Sequence, residues 1–157
     1  VIADMAFEIT LKERSAQPIL SITRKTTPQD ISKAFSEIMP KVRNFVLTAG
    51  AQQAGPPFSR FHEYQQDEVI VEAGIPICCA VAGEGDILSS ELPAGEVAQT
   101  IHIGPYDELM KVYPALVEWF TLQGKQSNGS PWEVYLTDPG NEPNPSKWQT
   151  EINWPVR

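Results

Sequence analysis

The segment Trp132-Glu133-Val134-Tyr135-Leu136 places a carboxylate and a phenol two residues apart among apolar neighbours. On an extended strand successive side chains alternate between faces, so Glu133 and Tyr135 share one face and Trp132, Val134 and Leu136 the other. Packing the apolar set against helices would put the acid and the phenol on the opposite, open face. A carboxylate among aromatic rings suits a flat, lipophilic cation. Each ring adds about 0.5 to 2 kcal/mol of cation–π attraction, and the acid supplies the counter-charge. With roughly 200 Å² of apolar burial at about 25 cal/mol per Å², less the cost of association, this predicts micromolar affinity.

The elements that must position these groups come in two copies. Pro40, Phe45, Gly50, Gly55, Pro57 and Phe58 recur as Pro114, Trp119, Gly124, Gly129, Pro131 and Trp132 at one constant offset. At that offset Ser59 and Phe61 stand where Glu133 and Tyr135 stand in the second copy. A pseudo-twofold would then set an aromatic ring opposite Tyr135 and a small hydroxyl opposite Glu133. Thr27-Pro28-Gln29-Asp30 and Gly104-Pro105-Tyr106-Asp107 both read as helix starts, with proline at the first helical position.

Ile31, Phe35, Ile38, Val42, Phe45 and Val46 fall on one helical stripe, as do Leu109, Tyr113, Leu116, Val117 and Phe120. Pro40 and Pro114 lie inside these stripes and should bend the helices. Gly50 and Gly124 should cap them. Strands are expected at Ala6–Lys12, Pro18–Arg24, Phe58–Tyr64, Glu68–Glu72, Ile75–Ala82, Ala94–Ile103, Trp132–Leu136 and Trp148–Trp154, from their β-branched and aromatic bias.

The expected fold is α+β, a single domain over residues 1–157 with repeats at about 6–82 and 92–156. Two strand-helix-strand-strand units would form one antiparallel sheet, with both helices on one face and an open ligand cleft on the other. Tyr106, Tyr113 and Trp119 complete the aromatic candidates. Glu151 and Asn153 alternate with Ile152 and Trp154 on the last strand, which places Glu151 near the rim.

With 12 basic and 20 acidic residues the net charge is −8, unfavourable for direct nucleic-acid binding. No apolar run is long enough for a membrane span, and the N-terminus lacks signal-peptide regions, so a cytoplasmic protein is expected. Adjacent Cys78 and Cys79 read as reduced, strand-borne thiols. His62 and His102 lie far apart with no zinc-type spacing, so neither a metal nor another cofactor is expected. His102 reads as a structural hydrogen-bonding group.

The stretches Leu92-Pro93-Ala94-Gly95, His102-Ile103-Gly104-Pro105-Tyr106-Asp107-Glu108-Leu109, Pro131 to Pro139 and Thr150 to Val156 together resemble the GyrI-like family, the effector-binding module of AraC-type and MerR-type multidrug regulators. The resemblance implies a cleft that takes lipophilic cationic drugs or dyes, with Glu133 as its carboxylate. Asn153 departs from the family, which often has Tyr there. No helix-turn-helix region is attached, so a free-standing module is expected, working as a homodimer or through a separate regulatory protein. Two further functions follow from the resemblance. One is a hydrolase that opens the cyclopropane of alkylating natural products, with Glu133 activating water and Tyr135 positioning the substrate. The other is a protein-binding module of the gyrase-inhibitor kind.

Overall fold

Among the described residues there are eight strands and two helices: β1 (Thr10–Arg14), β2 (Gln17–Thr26), α1 (Ile31–Thr48), β3 (Phe58–Tyr64), β4 (Val69–Pro76), β5 (Leu88–Leu92), β6 (Gly95–Ile103), α2 (Val112–Gln123), β7 (Trp132–Tyr135) and β8 (Gln149–Pro155). The computed structural model describes residues 7–157, so the expected strand start at Ala6 lies outside them. The chain divides into two compact units, one comprising residues 15–95 and the other the segment through Arg14 together with residues 96–157. Within each, strands and one helix give the expected α+β class, and the order strand, 3-10 turn, helix, strand, strand occurs in both.

In the unit of residues 15–95 the strands run in the order β3-β4-β2-β5 and each pairs antiparallel with its neighbours. Leu20 stands opposite Ile75 and Ile22 opposite Ala73, and α1 packs Ile38, Met39, Val42 and Val46 onto this face. Each such large side chain contributes about 1.5–3 kcal/mol by leaving water. In place of the two strands expected at Glu68–Glu72 and Ile75–Ala82 there is one continuous strand, β4, which ends at Pro76. Gly74, which falls between those two expected strands, is an interior strand residue: a Cβ there would collide with the Leu20 backbone oxygen and crowd Ser21. Cys78 and Cys79 consequently lie beyond the end of β4, free and exposed rather than within a strand. Strand β5 was not expected, because four of its five residues face solvent and leave no apolar alternation.

In the other unit the order is β1-β6-β8-β7, with β6 and β7 both antiparallel to β8. Here α2 and the turn before it pack Leu109, Val112, Leu116 and Phe120 onto Ala98, Ile152 and Val156. The expected helix from Pro105 resolves into a 3-10 turn, Tyr106–Lys111, followed by α2. Pro114 explains the division. It cannot donate to the carbonyl four residues back, so the α-helical ladder begins where proline falls in the first turn and its missing N–H goes unneeded. Pro40, by contrast, lies inside a continuous α1. Gly50 and Gly124, both at φ +69°, follow the two helices in the left-handed conformation expected of them.

Candidate functional site

Strand β7 and the start of α2 meet at one carboxylate. In the β7/β8 register Glu133 stands opposite Ile152 and Tyr135 opposite Thr150. Directly opposed residues of an antiparallel pair project to the same side. Ile152 lies under α2, so Glu133 and Tyr135 occupy the helix-bearing face, not the face away from the helix that strand alternation had suggested. Trp132 and Val134 take that other face, opposite Asn153 and Glu151. Both are buried there, so β7 is covered on its two sides and its apolar residues do not reveal which side carries the helix.

Glu133 is only 5% exposed. Tyr113, in the first turn of α2, donates its hydroxyl to Glu133 Oε2 at 2.6 Å, and Tyr135 donates to Oε1 at 3.0 Å. Each charge-assisted bond of this kind is worth about 1.5–3 kcal/mol. Among the described residues no basic side chain pairs with this acid. Burial pushes the Glu133 carboxyl above the ordinary carboxylate range, opposed by the two tyrosine hydroxyls.

Rings surround the acid's partners. Tyr106, in the 3-10 turn, meets Tyr135 edge-on with centroids 5.5 Å apart and lies against Trp148 at 4.8 Å. Tyr113 meets Trp154 at 5.8 Å, and Trp154 meets Phe120 at 5.0 Å. Tyr106, Tyr113, Tyr135, Trp148 and Trp154 are all half-buried, so their rings combine packing with some exposure. The Tyr106 phenol is raised by burial and by the nearby charges of Asp138 and Glu133. In the sequence Trp148 is legible only as the start of the last expected strand. Its aromatic character was visible, but its place depends on the turn before β8, where its indole N–H donates to the Glu142 carbonyl at 2.8 Å.

The remaining candidates separate. Asn153 is fully buried on the other face of the sheet, accepting from Gln99 and donating to Glu151, whose carboxylate lies 3.5 Å from Arg14. Trp119 is partly buried against Phe120. Ser59 and Phe61 belong to the unit of residues 15–95. There Ser59 is buried, and Phe61 packs near Ala34, Val69 and Val71. His102 is buried opposite Thr150, and burial, with Lys111, holds its imidazole below the ordinary range against the pull of Glu108.

A second buried carboxylate escaped sequence reasoning. Glu72, opposite both Thr23 and Arg60, sits on the face of its sheet turned away from α1. Ser21 donates to its Oε2 at 2.6 Å, and His62 Nε2 lies 2.7 Å from Oε1. Burial pushes Glu72 up, but the His62 and Ser21 hydrogen bonds and the charges of His62 and Arg60 outweigh it and hold the acid below the ordinary range. The two buried acids thus differ in sense: Glu72, beside an imidazole, a hydroxyl and a guanidinium, is shifted down, whereas Glu133, held by two phenols, is shifted up.

The chain is similar to the crystal structure of the EcmrR C-terminal domain, at 29% identity and a TM-score of 0.87, over 98% of this chain and 99% of that one. It is also similar to EcmrR in a cryo-EM structure of its complex with DNA, at 27% identity and a TM-score of 0.86, covering 99% of this chain but only 59% of that one. The structure of SAV2435 bound to tetraphenylphosphonium shares the fold at 13% identity, with a TM-score of 0.65 over 96% of this chain and 94% of that one. A comparison with curated proteins finds no match. A family model for the GyrI-like small molecule binding domain matches residues 7–157, and the chain belongs to that family.

Proposed function

We propose that this GyrI-like domain is an effector-binding module for lipophilic, aromatic cations, with Glu133 as the counter-charge. The observation that carries this reading is the state of that acid: buried, raised by burial, and held by two neutral phenols. A cation brought against it restores the charge balance that burial removed, and the flanking rings add dispersion and cation–π attraction. Support also comes from SAV2435, which shares the fold and binds tetraphenylphosphonium. EcmrR, which this chain spans in part, is found on DNA. With a net charge of −8 the module itself leaves nucleic acid to another domain or chain and acts in the cytoplasm, as a homodimer or with a regulatory partner.

Quenching of the tryptophans by a rhodamine-type cation tests the proposal. Saturable micromolar binding that is lost in Glu133→Gln is expected; binding unchanged in that variant overturns it.

The raised Glu133 carboxyl favours a second reading, general-base hydrolysis of a cyclopropane-bearing alkylator. In it Glu133 takes the proton from water while the Tyr135 hydroxyl positions the substrate. Ring-opened product formed above the buffer rate, and abolished in Glu133→Gln, supports that reading. A rate equal to buffer removes it.

A further inference from the structure

Cys78 and Cys79 are free, exposed and adjacent, with Sγ atoms 2.9 Å apart. The backbone leading into the pair is pinned as far as Cys78. The Cys78 N–H donates to Gln52 O, the Ile77 N–H to Pro18 O and the Ala54 N–H to Pro76 O, each at 2.9 Å. The Gln17 side chain donates to Ile77 O at 2.9 Å, and Ile77 itself is fully buried. A fixed backbone therefore presents two sulfurs side by side to solvent, with little ordering left to be done on binding.

Geometry narrows what such a pair can hold. A direct disulfide is disfavoured, because consecutive Cα atoms lie about 3.8 Å apart, short of the roughly 4.4–6.8 Å that disulfides adopt. Inserting one larger atom between the sulfurs relieves that constraint. Zinc needs four ligands, and among the described residues no group of three or more His, Cys, Asp or Glu side chains is placed to hold a metal ion. Soft centres that prefer two thiolates in line need sulfurs on opposite sides of the metal, not side by side. A pyramidal, three-coordinate soft centre with one substituent of its own takes two neighbouring sulfurs and needs nothing further from the protein.

We propose that Cys78 and Cys79 form a capture site for monosubstituted trivalent arsenicals. With R–As(OH)₂ two As–S bonds form, two As–O and two S–H bonds break, and two waters leave with no change in oxidation state. One thiolate attacks first, and the second thiol supplies the proton for a departing hydroxide. The hydrogen bond with Cys78, then its charge, raise the Cys79 thiol, which keeps its proton more tightly than a free thiol does.

The test uses phenylarsine oxide on the full chain, read by intact mass after a wash with excess glutathione, with Cys78→Ser and Cys79→Ser alongside. The wild type is expected to gain one phenylarsenic group less two hydrogens, to keep it through the monothiol wash and to release it to 2,3-dimercaptopropanol. Each serine variant should lose the adduct in the wash. Both thiols are exposed, and an unchanged tryptophan emission spectrum confirms that the variants are folded. An absent wild-type adduct, an adduct stripped by glutathione, or retention in either serine variant overturns the proposal. The site is independent of Glu133, so the dye titration bears on it in neither direction.

Discussion

The Tyr113 hydroxyl reaches Glu133 Oε2 at 2.6 Å, tying the first turn of α2 to the middle of β7 through one short bond. The acid's second oxygen is held from its own strand by Tyr135 at 3.0 Å. Helix and strand thus share the task of keeping a negative charge tolerable where water is largely excluded.

Removing these donors should therefore weaken cation binding unequally. A charged hydrogen bond of about 1.5–3 kcal/mol corresponds to roughly 10- to 100-fold in Kd. Tyr113→Phe is expected to fall in that range and Tyr135→Phe, which loses the longer bond, below it. Dye titrations of both variants at one pH check the order.

Glu133 should make the unliganded fold less stable as pH rises. Its folded-state pKa lies above the ordinary 4.5, chiefly through burial, so the folded protein binds this proton more tightly than the unfolded chain. The resulting stability is complete below 4.5 and is lost as pH climbs through the raised value. Glu133→Gln should therefore gain on the wild type across that window, by about 2–4 °C in Tm for each kcal/mol relieved. Cation affinity in the wild type should rise over the same window, and thermal melts with titrations at matched pH read both.

Glu72 should behave in the opposite sense. Its pKa is lowered, so the stability it contributes is present above the ordinary 4.5 and lost as pH falls through the lower folded value. Glu72→Gln weakens the bonds from Ser21 and His62 and should cost about 1–3 kcal/mol at neutral pH. The deficit should shrink in acid, which melts at several pH values resolve.

Gly74→Ala tests the close approach of β4 to β2. The added Cβ meets the Leu20 backbone oxygen and the Ser21 side chain, and neither can swing away from a paired strand. Overpacking of this kind costs about 1–3 kcal/mol or more, read as a lower urea midpoint.

Much of the frame was legible because it is written in periodicities. The stripe through Ile38, Val42 and Val46 did become the buried face of α1, and Gly124 did close α2. Glu133 and Tyr135 did fall on one face. Which face could not be read, because Trp132 and Val134 are buried on the other side and alternation marks two sides without naming them. Gly74 misled for a related reason. A glycine needed for close strand approach looks, in sequence, the same as one needed for a turn. The pairing of Tyr106 with Trp148 joins residues 42 positions apart through a turn rich in Pro, Gly and Asn, where no period operates.

Pro114 has one more consequence. By fixing where the α-helical ladder starts, it fixes the rotational phase of Tyr113 immediately before it. Adding or deleting one residue within α2 ahead of Tyr113 would turn that phenol by about 100° around the axis and slide it about 1.5 Å along it, away from the carboxylate. Length changes there would unhook the acid and turn the core residues Leu116 and Phe120 with it, whereas the loop at 138–147 can lengthen so long as Trp148 keeps its bond to the Glu142 carbonyl. The molecule thus has one connection whose length is part of its chemistry and another whose length is free to drift.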